Sequence, residues 1–257
     1  MAKVFITGSA DGLGRMAAQL LVKQGHSVVL HGRDEARARD ALKAVPGAHT
    51  ALSGNLSDIK ETVNLAEKAN RLGHFDAVIH NAAIGYREPK RSANADGLPE
   101  VFAVNSLAPY ILTCLIDKPH RLIYLSSGLH RQSAGGLDDL DWKKRKWDGY
   151  TAYADSKVHD VILAFAVARK WKDVYANALE PGWVATKMGG PSAPDSLEDA
   201  PKTQAWLAVS NDPGALVTGK YFYHMQQSPF NPIAKDVQAQ DKFLLECQRF
   251  SGITFPQ

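Results

Sequence analysis

The sequence predicts an α/β fold, one doubly wound domain over residues 1–257 with a mostly parallel, seven-stranded sheet and helices on both faces. Three observations predict it. Short β-branched and aliphatic runs alternate with stretches of helical spacing, the pattern of βαβ units. A glycine-rich turn follows the first apolar run and opens the first helical stretch. The 257 residues, 45% hydrophobic and 22% charged, suffice to bury a large core, and α/β proteins of this length are commonly one domain.

In chain order, residues 4–6, 28–30, 77–80, 122–125, 175–179 and 220–222 read as buried parallel strands. Between them, residues 14–24, 34–44, 58–72, 99–115 and 153–172 have helical spacing and suit crossovers on both sheet faces. In such a sheet, ligands sit beyond the carboxyl ends of the strands. Two stretches break the alternation, residues 128–150 and 187 to about 201, the latter rich in Gly, Pro, Ser and acidic residues. Loops this long within a domain are usually lids or binding loops, and both are expected on the substrate side.

The net charge of +3 and isoelectric point of about 8.7 are mild and spread out, so no nucleic-acid surface is expected. Cys114 and Cys247 lie in apolar or helix-like contexts and read as free thiols of a reducing compartment. The histidines show no metal-ligand spacing with Asp, Glu or Cys, so no metal is expected. Met1-Ala2-Lys3 leads straight into an apolar strand, leaving no room for a signal peptide or transmembrane segment, and a cytoplasmic location is expected.

The turn Thr7-Gly8-Ser9-Ala10-Asp11-Gly12-Leu13-Gly14 has the properties of a phosphate cradle. Gly8 permits a tight turn, Gly12 lets backbone N–H groups approach a pyrophosphate, and Gly14 permits close helix–strand packing. The helix start adds partial positive charge. After the second strand the chain reads Leu30-His31-Gly32-Arg33, with no carboxylate at the strand end for a ribose 2′-hydroxyl. Gly32 is expected to leave space, and the Arg33 guanidinium suits a 2′-phosphate, so NADP(H) is preferred over NAD(H). Arg15 and Arg37 are further phosphate candidates, with solvated pairing to nearby acids the competing reading.

Tyr153 and Lys157 stand one helical turn apart and can converge on one reacting group. A cation within about 4–6 Å favours the phenolate, which is expected to lower the Tyr153 pKa by roughly 1–3 and permit proton exchange near neutral pH.

The glycine turn, Asn81-Ala82-Ala83, Asn105, Ser126-Ser127, Tyr153-x-x-x-Lys157 and Pro181-Gly182-Trp183-Val184-Ala185-Thr186 follow one another in order. With them the chain resembles the short-chain dehydrogenase/reductase family over nearly its whole length, which implies a Rossmann-type domain. Ser126-Ser127-Gly128-Leu129-His130, Leu137-Asp138-Asp139-Leu140-Asp141-Trp142 and Gly219-Lys220-Tyr221-Phe222 before Ser228-Pro229 resemble its retinol dehydrogenase and protochlorophyllide reductase branch.

The resemblance implies a role for each matching residue. Tyr153 is the general acid or base, and Lys157 lowers its pKa and holds the nicotinamide ribose. Ser127 holds the substrate carbonyl, with Ser126 the weaker candidate, and Asn105 anchors a water-linked proton relay through Lys157. Pro181, Gly182, Val184 and Thr186 run past the nicotinamide, while Asn81, Ala82 and Ala83 approach the cofactor by backbone, Ala83 replacing the family's usual glycine. Asn55 and Leu56 stand where an aspartate commonly receives the adenine amino group; an amide oxygen can accept the same bond.

The expected activity is NADP(H)-dependent reduction of a small lipophilic aldehyde or ketone, or oxidation of the corresponding alcohol. The alternatives are a non-catalytic nucleotide sensor of the same fold and a reductase of an activated C=C bond. A homodimer or homotetramer is expected, because residues 153–172 carry more apolar surface than one sheet face requires and relatives often pair this helix, with a monomer the alternative because the retinol-dehydrogenase-like branch also contains monomers. His130 reads as a histidine bonded within its loop, and Trp142-Lys143-Lys144-Arg145-Lys146-Trp147 as a solvated loop face. Trp183, Met188 and Trp206 are candidates for an apolar pocket, with core packing the competing reading for each aromatic.

Overall fold

Aspartates start most of the helices. In the computed structural model, which describes residues 1–256, the Asp11 carboxylate caps α1 (Gly12–Lys23), Asp34 caps α2 (Glu35–Ala44) and Asp58 caps α3 (Ile59–Arg71). Each side chain accepts a backbone N–H that the first turn leaves unpaired. Asp148 and Asp236 do the same for α6 (Gly149–Lys170) and α8 (Val237–Ser251). The short α4 (Glu100–Phe102) runs through a π-helical turn, Ala103–Leu107, into α5 (Ala108–Leu115), and α7 (Lys202–Val209) follows the last long loop.

The strands are β1 (Lys3–Ile6), β2 (Ser27–Gly32), β3 (Thr50–Ser53), β4 (Ala77–His80), β5 (Arg121–Leu125), β6 (Tyr175–Glu180), β7 (Tyr221–Tyr223) and β8 (Gln226–Gln227). They form one sheet in the order β3-β2-β1-β4-β5-β6-β7-β8. The first seven are parallel, as expected; a two-residue antiparallel β8 adds an eighth. The order reverses between β1 and β4, which opens a crevice at their carboxyl ends.

One apolar layer packs α3, α5, α6 and α8 on one face of the sheet; the other places α1, α2 and α7 on the opposite face. Two of these helices lie outside the predicted set, and α8 changes the expected assembly. Val158, Ile162, Leu163, Phe165 and Ala166 of α6, the apolar surplus that suggested a partner subunit, are all buried within the single chain. Phe243 of α8 stacks on His159 at 5.0 Å between ring centroids, and the Arg169 Nε donates to Gln240 at 2.8 Å. The surface of α6 is therefore covered from within, and the argument for oligomerisation through it falls.

Residues 128–150 also differ from expectation. Only Gly128, Leu129 and Tyr150 of this stretch border the crevice. Arg145 turns inward between Asp139 (3.2 Å) and Asp155 (2.9 Å), its guanidinium 3.9 Å from the centre of the Trp142 ring. Trp142 is buried and Trp147 donates from Nε1 to the Glu88 carbonyl. Lys143, Lys144 and Lys146 alone form the expected solvated face. The stretch is pinned to α6, and only its two ends reach the crevice.

Candidate active site

A cleft of about 1790 Å³ runs along the carboxyl ends of the strands. Its walls extend from Gly8, Asp11, Gly12 and Leu13 past Arg33 and Asn55 at one end to Tyr153, Lys157, Val184 and Thr186 at the other. Asn81, Ala82, Ala83, Leu56, Ser127, Pro181 and Gly182 also line it. Ser9, Gly14 and Asn105 stand behind this wall.

The glycine turn is built for close approach. Gly8 has φ +63°, and a Cβ there would stand 2.7 Å from the Ala82 Cα. A Cβ on Gly14 would meet the Gly8 carbonyl oxygen at 2.5 Å, which is the predicted helix–strand packing. Gly12 has φ +52° and open space beyond its missing Cβ, while its own N–H is taken by the capping Asp11 Oδ1 at 2.8 Å. Asn81 ties β4 to the turn through Nδ2, which donates to the Thr7 and Gly8 carbonyls at 3.0 and 3.1 Å.

His31, which sequence reasoning passed over, completes the turn. Its Nδ1 accepts the Gly8 N–H at 2.9 Å and its Nε2 lies 2.9 Å from the Gly54 carbonyl, so the ring is neutral with the proton on Nε2. Burial lowers its pKa to about 4. The backbone N–H of His31 donates to Ser9 Oγ, and that hydroxyl donates to the Ile6 carbonyl. Ser9, expected at the cofactor, is thus a buried brace of the turn.

At the ribose corner, the Arg33 side chain is 80% exposed and 3.5 Å from Asp34. Gly32 does not open room there: a Cβ on it would lie 2.4 Å from the Ala38 nitrogen, so glycine is required for β2 to meet α2. Arg15, Arg37 and Lys187 all turn to the Asp11 carboxylate. Asn55 Oδ1 accepts from both the backbone N–H and the hydroxyl of Ser57, which leaves its Nδ2 for a ligand.

At the other end, Tyr153 lies in the second turn of α6, since the helix starts at Gly149. Tyr86 meets its ring edge-on at 5.7 Å, and its hydroxyl points to the Met188 sulfur 3.7 Å away. Burial pushes the phenol above its ordinary pKa, against the opposing pull of Lys157. Lys157 exerts the expected lowering, but burial outweighs it. Lys157 Nζ donates to the Leu125 carbonyl at 2.6 Å and to Asp160 Oδ2 at 2.9 Å, and lies 5.8 Å from the Tyr153 ring centre. Asp160 also escaped the sequence reading, although its i+3 spacing from Lys157 was visible.

Both serines border the cleft. Ser126 Oγ is buried and donates to the Lys157 carbonyl at 2.6 Å, which makes it structural. Ser127 is half-buried on the cleft wall and caps the following 3₁₀ turn, accepting from Leu129 N–H at 3.3 Å. Asn105 sits in the π-helical turn. Its Oδ1 accepts the Ile84 N–H at 2.7 Å, and its Nδ2 donates to the Ile84 carbonyl and to Ser156 Oγ. This side chain clamps the loop after β4 and does not touch Lys157.

His130 is bonded within its loop, as expected. Its Nδ1 lies 2.6 Å from the Ser127 carbonyl, its Nε2 accepts the Asn231 N–H, and burial lowers its pKa to about 4. Trp183, Met188 and Leu197 border the substrate end, whereas Trp206 packs on Phe222 in the core. Cys114 and Cys247 are free thiols. Among the described residues no helix is long and apolar enough to cross a membrane, and no group of three His, Cys, Asp or Glu could hold a metal.

The family model of short chain dehydrogenases matches residues 2–119. An oxidoreductase of Emericella nidulans is 45% identical over 260 residues, covering 100% of this chain and 99% of its own. Human retinol dehydrogenase 13 is 30% identical over 289 residues, covering 98% of this chain and 85% of its own. A crystal structure of a Mycobacterium paratuberculosis protein superposes with a TM-score of 0.86 at 21% identity, covering 100% of this chain and 96% of that one. The chain is therefore an oxidoreductase that belongs to the short-chain dehydrogenase family, on its retinol-dehydrogenase-like branch.

Proposed function

We propose that this protein uses NADP(H) to reduce a lipophilic aldehyde or ketone. The observation that carries the reading is one continuous cleft with an anion cradle at Gly8–Gly12 and, at its far end, Tyr153, Ser127 and Lys157. A dinucleotide fits the residues present, because the open space over Gly12 and the helix start of α1, once Asp11 gives up the Gly12 N–H, suit a pyrophosphate. Arg33, Arg15 and Arg37 at the ribose corner would hold a 2′-phosphate, the last two released from Asp11. Thr186 and the Val184 backbone would orient the nicotinamide carboxamide. A bound reduced nicotinamide supplies hydride.

The chain supplies position and a proton. The Ser127 hydroxyl donates to the carbonyl oxygen and fixes it beside Tyr153. The Tyr153 O–H then transfers its proton to that oxygen as negative charge develops on it. Lys157, on the same helix, would give its remaining donor to the cofactor ribose. Met188, Trp183, Leu129 and Leu197 give the substrate end an apolar lining. The name of the human relative, a retinol dehydrogenase, is consistent with a lipophilic alcohol or carbonyl.

The test is NADPH consumption with a panel of aldehydes and ketones, with product identification. Tyr153→Phe should lower kcat by about 10²–10⁴-fold while NADPH still binds. Arg33→Ala should weaken NADPH but not NADH by about tenfold, the scale of one charge-assisted hydrogen bond. Unchanged turnover in the first variant, or equal losses for both nucleotides in the second, would refute the corresponding assignment. Nucleotide binding without turnover would point to a sensor, and a saturated C–C product to C=C reduction.

A further inference from the structure

Glu180 ends β6 directly before Pro181-Gly182 and borders the cleft beside Ser127 and Gly128, yet the reaction above gives it no task. Its Oε1 accepts from Arg131 Nη1 at 2.7 Å, and among the described residues no group donates to its Oε2. That second oxygen lies 2.6 Å from where a Cβ on Gly128 would stand. We propose that Glu180 is a specificity-determining residue whose Oε2 accepts a hydrogen bond from the substrate, so that the preferred substrates are carbonyl compounds carrying an O–H or N–H donor close beside the reacting carbon. The proposal rests on the reading of Ser127 and Tyr153 as the pair that binds the carbonyl, and adds a polar requirement that the apolar lining does not contain.

Glycine makes the room for this contact. A Cβ on Gly128 would press on Glu180 Oε2 and stand 2.9 Å from Arg131 Nη2, so a side chain after Ser127 would displace the ion pair from the wall. Because Gly128 directly follows Ser127, a donor near the carbonyl suffices to reach the carboxylate.

Arg131 fixes that carboxylate without saturating it. The arginine side chain is 41% exposed and its Nη1 also donates to the Pro229 carbonyl, whereas the Glu180 side chain is 11% exposed. The guanidinium therefore keeps much of its hydration while the carboxylate has lost most of its own. A carboxylate offers about four acceptor positions, and one strong donor leaves it under-satisfied. Nor do its other neighbours supply a charge. Tyr221, stacked on His130 at 4.5 Å between ring centres, is a phenol that burial holds protonated, and its hydroxyl has no hydrogen-bond partner. His130 is neutral near pH 7, since burial lowers its pKa to about 4. A substrate that brings a donor completes the shell of Oε2. One without a donor covers that oxygen and leaves it unpaired, and this penalty is what discriminates between the two.

The test compares kcat/KM with NADPH for α-hydroxyacetophenone and α-methoxyacetophenone, ketones of closely similar electronic character of which only the first has a donor. The wild type should favour the hydroxy ketone by at least about tenfold, the scale of one hydrogen bond to a charged group. Glu180→Leu should bring the ratio close to one while the methoxy ketone is still reduced, and Glu180→Gln, which keeps an acceptor without the charge, should fall between. A general loss of folded protein lowers both substrates alike, so the ratio isolates the contact. Equal kcat/KM for the two ketones in the wild type, or an unchanged ratio in Glu180→Leu, overturns the proposal. If Glu180→Leu does not fold, Glu180→Gln takes its place, and an unchanged ratio there overturns it. Absence of turnover on every carbonyl would refute the proposed function instead. Calorimetric binding of the corresponding diol and methoxy alcohol to the NADPH-saturated protein then decides the role of Glu180: tighter diol binding that Glu180→Leu abolishes supports it, and equal affinities overturn it.

Discussion

His31 gives the sharpest test of how the glycine turn is held. Replacing it with alanine removes the acceptor of the Gly8 N–H and the donor to the Gly54 carbonyl. Each orphaned buried group costs about 1–3 kcal/mol. His31 borders the cleft, so water can satisfy part of this, and about 3 kcal/mol in total is expected near neutral pH. For a chain of this size that corresponds to a fall in Tm of about 6–12 °C. The pH dependence separates this account from a simple cavity. His31 binds a proton at about 4 in the folded chain and about 6.5 when unfolded, so between those values the unfolded state binds more protons. Stability contributed by the neutral ring is complete above pH 6.5 and is lost as pH falls, by about 2 kcal/mol at pH 5 and about 3 kcal/mol at pH 4. The alanine variant has nothing to titrate at this position. Its deficit should therefore shrink from about 3 kcal/mol at pH 7.5 to about 1 kcal/mol at pH 5, with the other buried histidines cancelling between the two proteins. Urea unfolding at both pH values measures it. A deficit unchanged at pH 5, or none at pH 7.5, would refute the role assigned to the imidazole.

Two further places in the chain carry expectations of their own. Gly14→Ala forces a Cβ to within 2.5 Å of the Gly8 carbonyl and should cost about 3 kcal/mol or more, whereas Gly12→Ala meets open space and should cost only about 1 kcal/mol of left-handed backbone strain; equal losses in thermal unfolding would contradict this. Arg145→Met leaves Asp155 with Ser133 and Asp139 with three backbone donors. It should therefore cost about 2 kcal/mol in urea unfolding, less than the ~3–5 kcal/mol of a fully orphaned buried ion, and a change within 0.5 kcal/mol would show that the loop is not anchored there.

What the sequence disclosed, and what it hid, divides along the range of the interactions. Strands β1, β2 and β4 to β7, the glycine turn and the Tyr153–Lys157 pair all depend on local spacing or on a turn beside a strand, and each was visible as a pattern. Gly32 was visible too, but its reason was not, because the nitrogen of Ala38 that a Cβ would strike lies in a neighbouring element. The excess apolar surface of α6 had the same ambiguity: hydrophobic on every face, it fits a partner subunit or a helix of its own chain equally well, and only the placement of α8 decides. Asp160 marks the boundary most clearly. Its spacing from Lys157 makes a contact on one helix face legible, yet the consequence for Tyr153 depends on burial. In water the pair would be screened and inconsequential. With all three side chains out of solvent, burial raises the Tyr153 phenol although Lys157 still pulls it down, and Asp160 adds a smaller push in the same direction as burial.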